Sequence, residues 1–158
     1  MERLNRIWNH PLYQENMRAL LELEQDRVFC GHGPGHLLDV ARLAWIMNLE
    51  QGLGYEKSVI YAAALIHDIG RAEEYRSGLS HEEGSRRLGL KILPACGYHE
   101  EEQALILEAA ASHRKVSEKQ DLNWLLYRAD KMSRLCFACP AEKLCDWPAE
   151  KKNMEIKG

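Results

Sequence analysis

Six side chains able to bind a divalent cation punctuate residues 36–130: His36, the doublet His67-Asp68, His81, His113 and Asp130. Imidazole nitrogens and carboxylate oxygens together suit a borderline-to-hard ion, from Mg and Mn through Fe, Co and Ni to Zn. Each falls in or beside a segment patterned as helix, and a helical bundle can gather such groups into an interior metal site. The doublet carries the most weight. It closes the most apolar run of the chain, where a carboxylate is costly to bury unless a cation or hydrogen-bond donors compensate it. Neighbouring helical residues point about 100° apart. At a helix end, His67 and Asp68 therefore approach an ion from two directions, or Asp68 bridges two ions.

A lone helical histidine is more often a surface residue or a hydrogen-bonded core residue, and His10, His32 and His99 are read that way. His32 and His36 stand four apart, but Gly33-Pro34-Gly35 between them breaks the helix that would align them. Asp130 taken alone is a solvated charge. What sets the six apart is their joint occurrence around the doublet.

The elements that must position them follow from apolar spacing. Residues 2–24 read as one or two helices around Pro11, and residues 28–35 as an irregular glycine-rich loop. A helix over 36–51 carries Leu37, Val40, Ala44 and Met47 at helical spacing, and Gly52 and Gly54 end it. Residues 57–68 are nearly all apolar and predict the buried central helix, stopped by Gly70. Residues 71–79 read as a loop. Ser80 and Glu83 form a capping-box pair that starts a helix ending before Pro94. Further helices are predicted over 100–113, opened by acidic residues, and over 121–135. No repeat, linker or alternating strand pattern intervenes. The chain reads as an all-α, single-domain helical bundle over residues 1–158, with the motifs at 28–135 and a polar, cysteine-bearing tail at 136–158.

Bulk properties bound the partners. At 158 residues the chain can bury a proper core. A net charge of -3 and the lack of a basic stripe disfavour nucleic acid and anionic membrane as partners. No apolar run approaches the roughly 18 residues of a membrane span, and the polar first residues are unlike a signal peptide. The expected location is the cytoplasm; oligomeric state is not encoded in these features.

In the order H…HD…D, carried by GHLLDVARLA, AALIHDIGR and YRADKMSRL, residues 28–135 resemble the HD-domain superfamily of metal-dependent phosphohydrolases. The resemblance implies an all-helical fold with His36, His67, Asp68 and Asp130 as the four ligands of one divalent metal. It leaves two roles for His81 and His113: ligands of a second metal bridged by Asp68, or hydrogen bonds to a substrate phosphate or metal-bound water. The implied chemistry is hydrolysis of a nucleotide or other small phosphate ester by metal-activated water. Arg71 stands where relatives of the HDIG type carry lysine and is expected at the phosphate, with Arg114 behind it. Lys131 reads first as a solvated surface charge.

Relatives that cleave stringent-response nucleotides or deoxynucleoside monophosphates carry an acidic residue in place of Arg71, and the cyclic-dinucleotide branch has a GYP motif absent here. The substrate stays open. HD-type diiron oxygenases share the six-residue order and form a second expectation. A non-catalytic, metal-stabilised module binding a nucleotide or a protein partner is the third.

Five cysteines, an odd number with no export signal, favour thiols or metal ligands over disulfides. Cys136, Cys139 and Cys145 form C-x2-C-x5-C after the last long helix, and Cys30 in the glycine loop is the candidate fourth ligand of a structural zinc or an iron–sulfur cluster. The alternative is reduced thiols packed at a chain end. Cys96 reads as a packed thiol.

Overall fold

The computed structural model describes residues 1–114 and 117–156. The helices are α1 (Glu2–Asn9), α2 (Pro11–Leu23), α3 (Pro34–Glu50), α4 (Lys57–Ile66), α5 (Arg71–Ser77), α6 (His81–Ala95), α7 (Glu100–Ser112) and α8 (Leu122–Met132). Three short 3-10 turns follow, and there is no strand among the described residues. The all-α expectation holds. No helix is long and apolar enough to cross a membrane.

The apolar run forms α4, and every residue from Val59 to Ile66 except Tyr61 is buried. Its alanines at 62–64 let neighbours approach closely, and α1, α3, α6, α7 and α8 all pack on it. The helix stops at Ile66, two residues short of the expected end, and the doublet sits in the turn that follows. A helix end leaves its last carbonyls without intrahelical partners, and here each one is satisfied. Ala63 accepts from the His67 amide at 3.0 Å and Ile66 from the Ile69 amide at 3.3 Å. Ala64 faces His67 Nδ1 at 2.7 Å, Leu65 accepts from the Tyr13 hydroxyl at 3.0 Å, and His67 from the Ser85 hydroxyl at 2.9 Å.

Gly70 does not stop α4 by adopting a left-handed conformation, as the sequence suggested; its φ of -75° is ordinary. It is required for a close crossing. A Cβ on Gly70 would lie 2.3 Å from the Ser85 nitrogen and 2.4 Å from the His81 carbonyl oxygen. On the other side, a Cβ on Gly84 would lie 3.0 Å from the Gly70 oxygen. Ser85 Oγ completes the clasp by accepting from the Gly70 amide at 2.9 Å. The turn that carries His67 and Asp68 is thus pressed against the start of the helix that carries His81.

Other boundaries also differ. Residues 71–77 are helical, not a loop: Glu73 and Glu74 lie in the first turn, where negative charge favours the positive helix end. Pro34 begins α3 instead of breaking it, since proline at the first helical position loses no bond. Pro94 lies inside the last turn of α6, and α8 ends at Met132, before Leu135. Ser80 caps α6 by accepting from the Glu83 amide, but the Glu83 carboxylate turns to Arg87 at 2.8 Å. Only half of the capping box is made.

Gly70→Ala should destabilise the fold by about 1–3 kcal/mol or more through overpacking, read as a lowered midpoint of urea unfolding. Gly35→Ala, where a Cβ meets nothing within 4 Å, should be neutral or gain up to about 1 kcal/mol. Equal midpoints for the two variants would contradict the close-crossing account.

Candidate metal centre

Five elements deliver the six side chains to one place. His36 lies in the first turn of α3, and His67 and Asp68 follow α4. His81 opens α6, His113 caps the end of α7, and Asp130 lies in the last turn of α8. His36, His67, Asp68 and Asp130 each offer a ligand atom within 4.8 Å of the others, and Asp68, His81 and His113 form a second such group. The expected ligands are therefore brought together, and both groups share Asp68.

The two carboxylate oxygens of Asp68 serve different sides. Oδ2 lies 3.0 Å from His67 Nε2 and 3.5 Å from His36 Nε2, which is itself 3.3 Å from Asp130 Oδ1. Oδ1 lies 3.6 Å from His81 Nε2 and 3.8 Å from His113 Nε2. Metal–nitrogen bonds of about 2.1 Å at angles between right and tetrahedral place two ligand atoms roughly 3.0–3.4 Å apart. The observed separations are close to that interval.

Every imidazole is oriented by its outer nitrogen. His67 Nδ1 donates to the Ala64 carbonyl, and His113 Nδ1 to the Ala110 carbonyl at 2.6 Å. His81 Nδ1 faces both oxygens of Glu74 at 3.0 Å. Ser133 Oγ donates to the Asp130 carbonyl at 2.7 Å and so accepts from His36 Nδ1 at 3.1 Å. Outer-nitrogen bonds of this kind fix the tautomer of a metal-ligating histidine and aim the Nε2 lone pair inward. Two consequences point to a cation. His67 Nε2 is buried without a hydrogen-bond partner. The Nε2 atoms of His81 and His113, both with lone pairs inward, face each other at 3.2 Å.

Burial alone would push Asp68 up, but His67, His36 and Arg71 outweigh it and hold the carboxyl well below the ordinary range. Asp130 is likewise held low against its burial by His36, Lys131 and Arg134. Burial, reinforced by His67, lowers His113 to about 4, and His81 is also lowered, by burial and Arg71. These two rings are neutral and free to ligate. The donor set, its depth and its orphaned nitrogen fit a divalent cation.

A cavity of about 310 Å³ opens beside the cluster. Arg71 lines it, donating from Nε to Asp68 Oδ1 at 2.8 Å and reaching Glu74 Oε2 at 3.4 Å. Arg114 stands at the rim, exposed and 3.4 Å from Glu82. Lys131 is not the solvated charge expected; it pairs with Asp130 and lies over the Tyr127 and Trp147 rings. Arg134 was not foreseen. It is buried, donating to His36 Nε2 at 2.9 Å, Asp130 Oδ1 at 3.3 Å and the Gly31 carbonyl at 2.7 Å. Its position four residues after Asp130, one helical turn along, was the available signal. His32 also borders the cavity, satisfied by Glu24 as the sequence reading supposed.

The comparisons with known proteins converge on one family. The HD domain matches residues 35–135. An uncharacterized protein of Clostridium beijerinckii is 41% identical over 156 residues, covering 99% of both chains. Ribonuclease Y of Enterococcus faecalis is 26% identical over 92% of this chain, which spans only 26% of that protein's length. A crystal structure of a predicted HD superfamily hydrolase from an uncultured Thermotogales bacterium superposes with a TM-score of 0.66 at 20% identity, covering 93% of this chain and 82% of the other.

Thermal unfolding with added Mn(II) should shift upward, because binding to the native state alone stabilises by about 2.7 kcal/mol at 100 times Kd. His67→Ala and Asp68→Asn should abolish the shift, and Cys96→Ser should keep it. A midpoint insensitive to Mn, Co and Zn would show that the cluster takes no cation.

Proposed function

We propose that this chain, which belongs to the HD-domain family, is a metal-dependent phosphohydrolase that cleaves a nucleotide or another small phosphate ester. The observation that carries this reading is the divided use of Asp68, with two imidazoles toward each of its oxygens and Arg71 against one of them. His36, His67, Asp68 and Asp130 would hold one cation, and His81 and His113 would share Asp68 with a second. Divalent cations held by such residues supply a water acidified toward neutrality and Lewis-acid polarisation of a phosphoryl oxygen.

The chain's own groups do the rest. Arg71, Arg114, Lys131 and Arg134 border the cavity, where their charges offset those of a bound phosphate and of the transferring group. Arg71 is oriented by Asp68 and Glu74 before any substrate arrives, so little ordering remains to be done on binding. Glu74, through His81 Nδ1, holds that imidazole toward Asp68. The cavity lies at the small end of the range for small-molecule sites, roughly 300–1,000 Å³, which favours a mononucleotide-sized ester over a folded polymer. Phe29 and Trp147 border it too, and an aromatic face is what a nucleobase stacks on.

The test is a panel of nucleotides, phosphate monoesters and a short RNA, run with Mn, Mg, Co and Ni in turn. Phosphate release should depend on added metal and vanish in Asp68→Ala. Arg71→Ala should lower kcat/KM by about 10²–10³-fold, the usual loss for one donor to a developing charge. Bound metal should fall from two ions to one in His81→Ala. A mixed-valent diiron spectrum with oxygen uptake and no phosphate release would assign an oxygenase instead. Hydrolysis unaltered in Asp68→Ala would leave a binding module.

A further inference from the structure

Four of the five cysteines line the cavity. Cys30 comes from the loop between α2 and α3, and Cys136, Cys139 and Cys145 come from the tail after α8; all four border the cavity. The tail reaches it through three linked turns. The Cys139 amide donates to the Cys136 carbonyl at 3.2 Å, Glu142 to Cys139 at 3.1 Å, and Cys145 to Glu142 at 3.1 Å. Turns bonded from i to i+3 align every third side chain, and Cys136, Cys139, Glu142 and Cys145 accordingly face the same space. The fifth thiol, Cys96, is buried at the end of α6 within the main core.

The Cys30 loop is tied down on the same side. Arg134 donates to the Gly31 carbonyl, and Arg27 Nε to the Cys30 carbonyl at 2.9 Å. The thiols are near enough to sense one another: burial pushes Cys30 up, and Cys136, Cys139 and Cys145 add to that rise against Arg134.

The tail has hydrogen bonds but little core of its own. Across 136–156 only Cys136, Ala141 and Asn153 are buried, while Phe137, Leu144, Met154 and Ile156 are exposed. A segment without its own core needs a staple, and metal binding supplies folding free energy directly. The spacing selects the kind of centre. Zinc–sulfur bonds of about 2.3 Å would draw four sulfurs to about 3.8 Å of one another. The thiols are not among the described groups whose ligand atoms gather within 4.8 Å. As they stand, they are not drawn to the spacing of a single tetrahedral ion.

We propose that Cys30, Cys136, Cys139 and Cys145 ligate an iron–sulfur cluster that pins the tail to the loop before α3 and closes the catalytic cavity. Four thiolates are the usual ligands of such clusters. Arg27, Arg134 and Lys152, which border the cavity beside them, offset the negative charge of a thiolate-bound cluster.

The experiment uses the full chain, purified without oxygen and reconstituted with ferric iron, sulfide and a thiol reductant. Wild type should bind acid-labile sulfide and show thiolate-to-iron absorption in the visible range. Cys30→Ser and Cys139→Ser should lose both, and Cys96→Ser should retain both. Asp68→Ala, which removes the shared ligand of the histidine centre, should keep its sulfide, so this outcome is independent of the hydrolase reading. Absence of bound sulfide after reconstitution would overturn the proposal. So would sulfide content unchanged in Cys139→Ser, or one zinc per chain lost in Cys139→Ser with no sulfide in wild type. Far-ultraviolet circular dichroism checks that the variants keep their helices; Cys145→Ser gives a second reading if one of them does not.

Discussion

The arrangement rests on one carboxylate held out of water. Asp68 is 1% exposed, and transferring an ion to such a place costs several kcal/mol unless nearby groups return the loss. Nothing in the adjoining turns of α4 can do so, because that helix is apolar from Ala62 to Ile66. The compensating groups come from outside it: His67 in the turn that follows, His36 from α3 and Arg71 from α5. The bundle is organised so that several helix termini converge on one point, since side chains at termini can reach inward without disrupting a packed helix face.

That convergence depends on small residues. Gly70 and Gly84 let the turn after α4 touch the backbone of α6, and Ser85 ties the two together through both of its hydrogen-bonding functions. A larger residue at either glycine would move His81 away from Asp68 by pushing the elements apart. The imidazoles then need only a local acceptor on Nδ1 to set their direction, and each has one. Rigid backbone supplies distance; outer hydrogen bonds supply aim.

Much of this was legible in the sequence. The doublet, its flanking His36 and Asp130, and the pair His81 and His113 could be named from residue type and helical context, and the structure gathers all six. The helical segments were visible from apolar spacing, because amphipathic periodicity is a property of residues near one another in the chain. What the sequence hid was of the opposite kind. Arg71–Ser77 is short and polar and looked like a loop; it is helical because its acidic first turn suits the helix end and its Ala72 is buried. Gly70 looked like a stop signal, since a close crossing with residues 84 and 85 leaves no local trace. Lys131 looked like a surface charge and Arg134 drew no reading; Trp147 of the tail covers the first, and the second is buried against Gly31 of the loop before α3.

The cavity has walls of two different constructions. The histidine side is made by the ends of the long helices that build the core. The opposite side is made by residues 136–153, which bury few side chains and belong to the low-stability end of local opening. Residues 136–153 follow the helices in the chain and line the cavity without supplying any of the six histidine and aspartate side chains. Variation in those residues, the cysteines apart, can therefore reshape what fits inside without disturbing a side chain of the histidine centre.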